Sequence, residues 1–221
     1  MTISAVMQEY LAETYRIAAY QTEPYVSTSA LAEAMQVTAP AVARMATRLR
    51  DAGYIEHEPY HGMRLTNVGE REALKSIRRH RLTEIFLVKV MGFGWHEVHD
   101  EADEIGAVLS DRLADRMEEL SGYPTRCPHG EPIPSAEGMM PLVEDMLLTD
   151  VDPPTDLVIS RVRTHDREKL LYLADLGLTP NKTITLVSRA PFNGPLRLRI
   201  GRDEQVIGNE LAGVLRVARL P

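Results

Sequence analysis

The sequence lacks the features of a secreted, disulfide-bonded or membrane-spanning protein. Cys127 is the one cysteine among 221 residues, so an internal disulfide is excluded and a reducing, cytoplasmic location is expected. The apolar run at 85–91 is interrupted by Lys89 and is too short to cross a bilayer. No basic segment followed by an apolar one opens the chain, so we expect no secretory signal.

Positive charge is also scarce. The formal net charge is -7, which argues against a protein that coats nucleic acid non-specifically but leaves room for a local basic face. An acidic excess also fits a cation-binding protein. Hydrophobic residues make up 44% and charged residues 26%, which is typical of a globular chain, and the length predicts two or three compact units.

The first two thirds of the chain carry helical patterns. A hairpin is predicted over 54–65 with its turn at His61 and Gly62, and the prolines of 123–134 predict a loop. Apolar spacing and capping residues predict helices over 4–19, 30–36, 38–52, 67–91, 95–120 and 136–148.

The pattern changes to short alternating segments after a proline-containing linker at 150–155. A single helix is predicted among them, over 168–176, and the segments suit a small five-stranded barrel. The fold class is therefore mainly α with a β-rich C-terminal domain, and we expect domains at 1–75, 76–149 and 150–221. The predicted strands cover 157–162, 183–187, 196–200, 205–208 and 214–219.

Two helices, a tight turn, a further helix and a hairpin together predict a winged helix-turn-helix that binds DNA. Arg44 and Arg48, four apart on the second helix of the motif, are suited to guanine edges or phosphates. The alternative is a helical bundle whose arginines are simply solvated. The predicted contact residues are Ser27, Thr38, Ala39, Pro40, Arg44, Arg48, and, in the wing, His61 and Arg64.

The middle of the chain holds side chains that bind metal ions, at useful spacings. His80 and Glu84 are four apart and share a helix face, and so are His99 and Asp103. Cys127 and His129 flank a proline in the predicted loop. Any one pair is more often structural than ligating, but the combination indicates a metal site. Imidazole and carboxylate suit manganese, iron, cobalt or zinc, whereas thiolate favours zinc or iron.

These motifs resemble the diphtheria-toxin-repressor and manganese-transport-regulator family. The DNA-binding resemblance lies in VSTSALAEAMQVTAPAVARMATRLRDAGYIEHEPYHGMRLTNVG, which departs from the family at Ala41 and Ala43, where Ser or Thr is frequent. The dimerisation and metal-binding helices are similar to RRHRLTEIFLVKVMG and HEVHDEADEIGAVLSDRL. CPHGEPIP resembles a loop of the manganese-type members, and the β-rich tail resembles an SH3-like domain.

The resemblance implies two neighbouring metal sites. The acidic residue at position 9 replaces a Met of the iron-type members and favours a harder ion, while the second site is depleted because Gly106 and Ala107 stand where the family has Glu and His. His165 is a reserve ligand. The implied first site is Glu84, Cys127, His129 and Asp166, and the second is Glu9, His80 and Asp103, with His99 as a further candidate.

The predicted function is a metal-dependent regulator, not an enzyme, that controls metal-homeostasis genes. Its cofactor would be Mn²⁺, with Fe²⁺ as the other candidate, and metal binding would promote binding of a homodimeric repressor to a palindromic operator. One rival is a winged-helix regulator that has lost metal sensing. Another is a metalloenzyme, which the sequence disfavours because no HExxH motif or glycine-rich phosphate loop is found.

Overall fold

The computed structural model describes residues 3–58 and 60–220, which form two compact units. No helix in that part of the chain is long and apolar enough to span a membrane. The first unit comprises Met1–Thr83, Asp103–Arg116 and Ile133–Pro141. The second comprises Glu84–Ala102, Met117–Pro132 and Leu142–Pro221.

Three helices and a hairpin open the first unit, in the order predicted for a winged helix-turn-helix. Leu11, Leu31, Val42, Leu49 and Met63, one or more from most of these elements, are fully buried in one apolar core. The elements are α1 (Ala5–Ala18), α2 (Thr28–Ala34), α3 (Ala39–Asp51), β1 (Ile55–Glu58) and β2 (Gly62–Leu65). The predicted hairpin is confirmed, with Ile55 opposite Leu65 and Glu58 opposite Gly62, but the predicted turn at His61 and Gly62 was misplaced because Gly62 already belongs to β2.

Gly62 fixes the wing against the entry to α2. Its φ is +117°, and a Cβ added there would lie 2.2 Å from the carbonyl oxygen of Val26. Val26 and Met63 exchange backbone hydrogen bonds of 2.8 and 2.9 Å beside it. Only glycine permits this backbone approach, so the wing is attached to the helix-turn-helix by main-chain contacts.

The middle of the chain contains α4 (Asn67–Lys89), α5 (Val98–Gly106) and α6 (Asp111–Leu120). The prediction of one helix over 95–120 was wrong, because the helix is interrupted between Gly106 and Asp111. The hydroxyl of Ser110 accepts a hydrogen bond from the backbone N–H of Leu113, which is the contact of a new helix start.

The helix predicted over 136–148 is absent from the described residues. Gly138 has a φ of +77° and Pro141 would remove a helical hydrogen bond, so neither suits a helix interior. The segment is instead irregular up to β3 (Met146–Leu147) and a turn of 3₁₀-helix, Leu148–Asp150.

The second unit is built on an antiparallel sheet with strand order β3-β8-β4-β5-β6-β7. β3 and β7 are its outer strands, so among the described residues the sheet stays open, and the prediction of a closed five-stranded barrel was wrong in both strand number and closure. The elements are β4 (Thr155–Val162), α7 (Arg167–Asp175), β5 (Thr183–Arg189), β6 (Leu196–Ile200), β7 (Asp203–Ile207), α8 (Asn209–Ala212) and β8 (Leu215–Arg219).

A buried ionic cluster joins the segment before β3 to the sheet. The fully buried carboxylate of Asp145 accepts hydrogen bonds from the Arg161 guanidinium at 2.6 and 2.7 Å, from Arg216 at 2.5 Å and from the Ser160 hydroxyl at 2.8 Å. Burial would raise the pKa of Asp145, but the hydrogen bonds from Arg161, Arg216 and Ser160 outweigh burial and hold the pKa below its ordinary value of 3.8.

Replacing the Asp145 carboxylate should make the free energy of unfolding less dependent on pH in the acid range. At neutral pH we expect Asp145→Asn to lower the free energy of unfolding by about 3 kcal/mol, because two arginines lose their buried counter-charge. A lowered folded-state pKa means that the contribution is complete above 3.8 and is lost as pH falls further. Denaturant unfolding at a series of pH values should therefore show the variant and the native chain converging in acid.

The exposed neighbour Glu144 supplies the control for that series. Glu144→Gln should follow the native pH dependence closely. A constant stability difference between Asp145→Asn and the native chain from neutral pH down to about pH 3 would contradict the assignment.

Candidate metal centre and nucleic-acid interface

Three buried side chains of different chemistry converge in the second unit. Glu84 comes from α4, and Cys127 and His129 come from the loop after α6. One potential ligand atom from each lies within 4.8 Å of the others. His129 Nδ1 is 3.4 Å from Glu84 Oε1 and 3.9 Å from Cys127 Sγ. A carboxylate, a thiol and an imidazole nitrogen brought together in this way form a donor set that suits a divalent transition metal.

The orientation of His129 is fixed by Trp95. Its Nε2 lies 2.8 Å from the backbone carbonyl oxygen of Trp95, and the Trp95 ring stacks on the imidazole at a centroid distance of 5.7 Å. A carbonyl only accepts hydrogen bonds, so Nε2 carries the proton and donates it. The lone pair of Nδ1 then points toward Glu84 and Cys127, as is usual for a metal-ligating histidine with a backbone partner.

The loop that carries Cys127 and His129 is closed by its own backbone and held by β4. Glu131 O accepts from Cys127 N at 2.9 Å, and Cys127 O accepts from Gly130 N at 3.0 Å. His129 O accepts from Val162 N at 2.9 Å. Gly130 has a φ of +86°, and an added Cβ would lie 2.2 Å from the carbonyl oxygen of Ser160. The loop therefore reaches β4 only because glycine follows His129.

Glu84 also faces two histidines from other elements. His99 Nδ1, on α5, is 3.4 Å from Glu84 Oε1. The His99 and His165 rings stack with centroids 3.4 Å apart and 16° between their planes, and Glu84, His99 and His165 form a second group of potential ligands. His165, which was predicted as a reserve ligand, thus lies beside other residues that can bind a metal.

Asp166 does not join the described ligand groups, although the resemblance assigned it to the first site. Its carboxylate is the N-cap of α7, where Oδ1 accepts from the backbone N–H groups of Glu168 and Lys169 at 3.0 and 3.1 Å. Capping occupies one oxygen in the local structure of the helix. The structure therefore brings together three of the four residues assigned to that site.

Two of the residues assigned to the second site, His80 and Asp103, meet in the first unit, whereas Glu9 is not in a described ligand group with them. His80 Nδ1 lies 2.9 Å from Asp103 Oδ1. Burial and the neighbouring Asp103 charge raise the pKa of Glu9 above its ordinary value. A Cβ added to Gly106 would lie 3.4 Å from His80 Cα, so α5 packs closely on α4 at the position where the resemblance implied a ligand.

The predicted DNA-contacting residues lie in the first unit, and most of them are exposed. Arg44 and Arg48 are exposed on α3. His61 is exposed in the wing, but Arg64 pairs with Glu56 and its guanidinium lies 5.4 Å from the ring centroid of Tyr25. The remaining predicted residues belong to helix starts: Ser27 caps α2 through its hydroxyl, and Thr38, Ala39 and Pro40 open α3.

Sequence reasoning missed one contributor to the metal centre, and it also passed over a third exposed arginine of α3. The carbonyl of Trp95 carries no sequence signal, because any residue has one. Arg50 is exposed on α3 and pairs with Asp51; its spacing from Arg48 places it on a different part of the helix surface. Arg44 and Arg48 were selected by their i,i+4 spacing, which Arg50 does not share with either of them.

The fold and the site define a winged-helix protein with a centre suited to a metal ion. Models of the iron-dependent repressor family match residues 2–63 (the N-terminal DNA-binding domain) and 66–135 (the metal-binding and dimerisation domain). A model of the FeoA domain matches 146–219. This chain belongs to the iron-dependent, or diphtheria-toxin, repressor family of metal-responsive DNA-binding transcription regulators, so the expectation that it is not an enzyme is confirmed.

Similar proteins cover nearly the full length of the chain. The iron-dependent repressor of Mycobacterium tuberculosis is 28% identical over 202 residues, which is 86% of this chain and 87% of that protein. A manganese-dependent transcriptional repressor solved in complex with manganese has a TM-score of 0.90 and 32% identity, over 97% of this chain and 100% of the other. The repressor ScaR with bound Cd²⁺ has a TM-score of 0.81 and 28% identity, over 97% and 99%.

Gly130→Ala should disturb the loop more than a glycine replacement that adds strain alone. Gly122 has a similar φ of +76° but no atom within 4 Å of an added Cβ, so Gly122→Ala should cost about 1–2 kcal/mol. Gly130→Ala adds a backbone clash, which should cost about 1–3 kcal/mol more. Denaturant unfolding measures both, and the emission of Trp95, the one tryptophan, should shift only in Gly130→Ala. Equal effects would refute the close approach.

Proposed function

We propose that this chain is a manganese-responsive repressor that binds a palindromic operator as a homodimer and is switched by a metal centre at Glu84, Cys127 and His129. The observation that carries the proposal is the convergence of these buried carboxylate, thiol and imidazole groups within 4.8 Å. Buried ionisable groups are costly unless they are paired or bind a cation, so this arrangement is better suited to ion binding than to packing.

The proposed metal is Mn²⁺, with Fe²⁺ as the other candidate. Carboxylate oxygen and imidazole nitrogen suit Mn²⁺, whereas the thiol of Cys127 adds affinity for softer ions. The similar structures were solved with manganese and with cadmium, and cadmium is one of the softer ions. Glu9 supplies a hard oxygen donor in the other predicted site, where its raised pKa reflects burial and the neighbouring Asp103. The carboxylate at position 9 therefore supports manganese.

The proposed ligand set keeps the residues predicted from the sequence. Glu84, Cys127 and His129 form the first site, with Asp166 as the predicted fourth ligand and His165, which stacks on His99, as its replacement. His165 is favoured because it belongs to a ligand group that includes Glu84. The second site is proposed at Glu9, His80 and Asp103, with His99 as its further candidate.

DNA is proposed to bind the winged helix-turn-helix of the first unit. Arg44 and Arg48 of α3 would lie in the major groove, while the N-terminal residues of α2 and α3 and the wing residue His61 would lie beside phosphates. Arg64 would have to give up part of its pairing with Glu56 to reach a phosphate. The predicted helix-start contacts are Ser27, Thr38, Ala39 and Pro40.

Each predicted domain is proposed to have its own role. Residues 1–75 would bind DNA, residues 76–149 would dimerise and bind metal, and residues 150–221 would form the SH3-like domain. Val108 and Leu113 are 82% and 49% exposed in and beside α6, which supports dimerisation there, as the matching family model includes dimerisation. A two-fold dimer presents two recognition helices, hence the palindrome. We propose a cytoplasmic location and metal-homeostasis genes as targets.

A bound divalent cation supplies the positive charge that compensates the buried carboxylate and thiolate. The residues are already placed around such a cation. One oxygen of Glu84 lies beside two imidazoles, and the hydrogen bond to Trp95 O holds His129 with its Nδ1 facing Glu84. Glu84 lies on α4, which begins soon after the wing strand β2. Metal binding would favour the DNA-competent state, and DNA would reciprocally tighten metal binding.

Metal titration tests this function. The chelator-stripped full chain should bind a labelled palindromic fragment from its own upstream region more tightly as Mn²⁺ is added, by about 10-fold or more, at fixed salt because salt alone changes affinity. Glu84→Ala and His129→Ala should abolish the metal effect while the metal-free affinity stays unchanged. Parallel titrations with Fe²⁺ and Zn²⁺ rank the metals.

Two further variants act as discriminating controls in that titration. His165→Ala should weaken the Mn²⁺ response more than Asp166→Ala, since the Asp166 carboxylate caps α7. DNA binding that is equally tight in chelator and in Mn²⁺ would reject the metal switch and favour a winged-helix regulator with another signal.

The arginines of α3 allow a separate test of the interface. Arg48→Ala should weaken operator binding by about 1–3 kcal/mol, or reduce the slope of log affinity against log salt by about one if it contacts phosphate. Arg202, also exposed but in the second unit, supplies the matched control, and Arg202→Ala should change neither. The interface is misassigned if both variants behave alike when binding is measured by fluorescence anisotropy over a salt series.

A further inference from the structure

We infer that Glu131 and Arg161 are positioning residues of the metal centre: anchored on Asp145, they hold the Cys127–Glu131 loop so that its two ligands face Glu84. The inference rests on the proposed function, because it concerns how the proposed ligands are held. It assigns to the β-rich part of the chain a role in metal affinity that does not depend on donating a ligand.

Strand β4 contains an irregularity. The register between β4 and β8 shifts between Ile159 and Arg161, with Ile159 opposite Val217 and Arg161 opposite Arg216. A strand normally alternates between two faces, but here both Arg161 and its neighbour Val162 are buried. The extra residue of a bulge re-aims the side chains that follow it, and in β4 it turns a guanidinium inward.

Arg161 then connects two carboxylates. Its Nε and one terminal nitrogen donate to the two oxygens of Asp145 at 2.7 and 2.6 Å, and the other terminal nitrogen donates to Glu131 Oε2 at 3.2 Å. The side chains of Arg161 and Glu131 are 10% and 14% exposed. A guanidinium held bidentately on one side has little freedom, so the position of Glu131 is determined by the sheet.

Glu131 is the last residue of the loop that carries the ligands. Its carbonyl accepts from Cys127 N and closes the loop, while Val162 N, next to Arg161, donates to His129 O. Arg126 adds a side-chain hydrogen bond to Gly130 O. Cys127 is thus bonded through the backbone to Glu131, which is a partner of Arg161, and His129 is bonded to Val162, the neighbour of Arg161 in β4. Releasing Glu131 should leave the ligands present but less well oriented.

Metal affinity depends on such outer contacts, because a ligand that must be ordered on binding loses part of its binding free energy. Removal of an outer-shell partner typically weakens metal binding by about 10–100-fold. We therefore expect Glu131→Ala to raise the Kd for Mn²⁺ by about tenfold. Glu131→Gln should restore most of the affinity, because the amide oxygen can still accept from Arg161.

The experiment measures Mn²⁺ binding to the full chain through the emission of Trp95, whose ring stacks on His129. Amide hydrogen exchange of the metal-free protein gives a second measurement, in which the Val162 N–H should exchange faster in Glu131→Ala. The control is Arg189→Ala. Arg189 belongs to the same sheet and donates to the carbonyls of Leu148 and Val151, so its loss should lower stability and leave the Mn²⁺ Kd unchanged.

The outcomes separate the inference from the proposed function. A tenfold loss in Glu131→Ala, rescue in Glu131→Gln and no change in Arg189→Ala support the inference. If Glu131→Ala binds Mn²⁺ as the native chain does while His129→Ala does not bind it, the positioning role is overturned and the proposed function stands. If His129→Ala also binds normally, the metal centre itself is misassigned and the inference falls with it. A Kd that tracks the loss of stability in Glu131→Ala and Arg189→Ala alike also overturns it.

Discussion

The buried carboxylate of Glu84 is the group around which His99 and His129 of the second unit are arranged. Its side chain is 2% exposed, and a carboxylate taken from water costs several kcal/mol unless its environment compensates it. The Nδ1 atoms of His99 and His129 both lie 3.4 Å from one carboxylate oxygen, and a proton on either nitrogen or a cation bound beside them would supply that compensation. One histidine comes from α5 and the other from the loop held by β4. Placing both nitrogens beside one oxygen therefore fixes His99 and the loop that carries His129 relative to Glu84, within the second unit.

Asp145 shows the other way in which this chain accommodates a buried carboxylate. Two arginines and a serine hydroxyl surround it and hold its pKa below the ordinary value, against the effect of burial. That group is compensated by the protein alone, as structural ion pairs are. Around Glu84 the neighbours are instead imidazole and thiol groups, which bind cations when neutral or deprotonated. The contrast in partners is the physical basis for treating one cluster as structural and the other as a metal centre.

Local signals predicted most of the fold and part of the centre. Apolar periodicity and caps sufficed for α1 to α4, the hairpin and five strands because these elements follow local rules. Closure of the sheet depends on tertiary contacts and was mispredicted, whereas the break before Asp111 has a local signal in the Ser110 cap and was missed. The i,i+4 rule selected Glu84 on its helix, and Cys127 and His129 stood out by type. Asp166 was assigned by resemblance, but its position before α7 makes it a capping residue.

The role of β4 explains why ligand positions alone describe this centre incompletely. Cys127 and His129 are close to Glu84 because Gly130 approaches the backbone of Ser160 and because Val162 bonds to the His129 carbonyl. Both contacts are made by backbone atoms, which any sequence supplies, and their placement depends on the bulge in the strand. The chemistry of the proposed centre thus depends on the side chains of Glu84, Cys127 and His129, while the geometry of its loop is set by contacts with a strand of the sheet. We therefore expect a change in the sheet to alter the metal affinity of the proposed centre while its proposed ligands are retained.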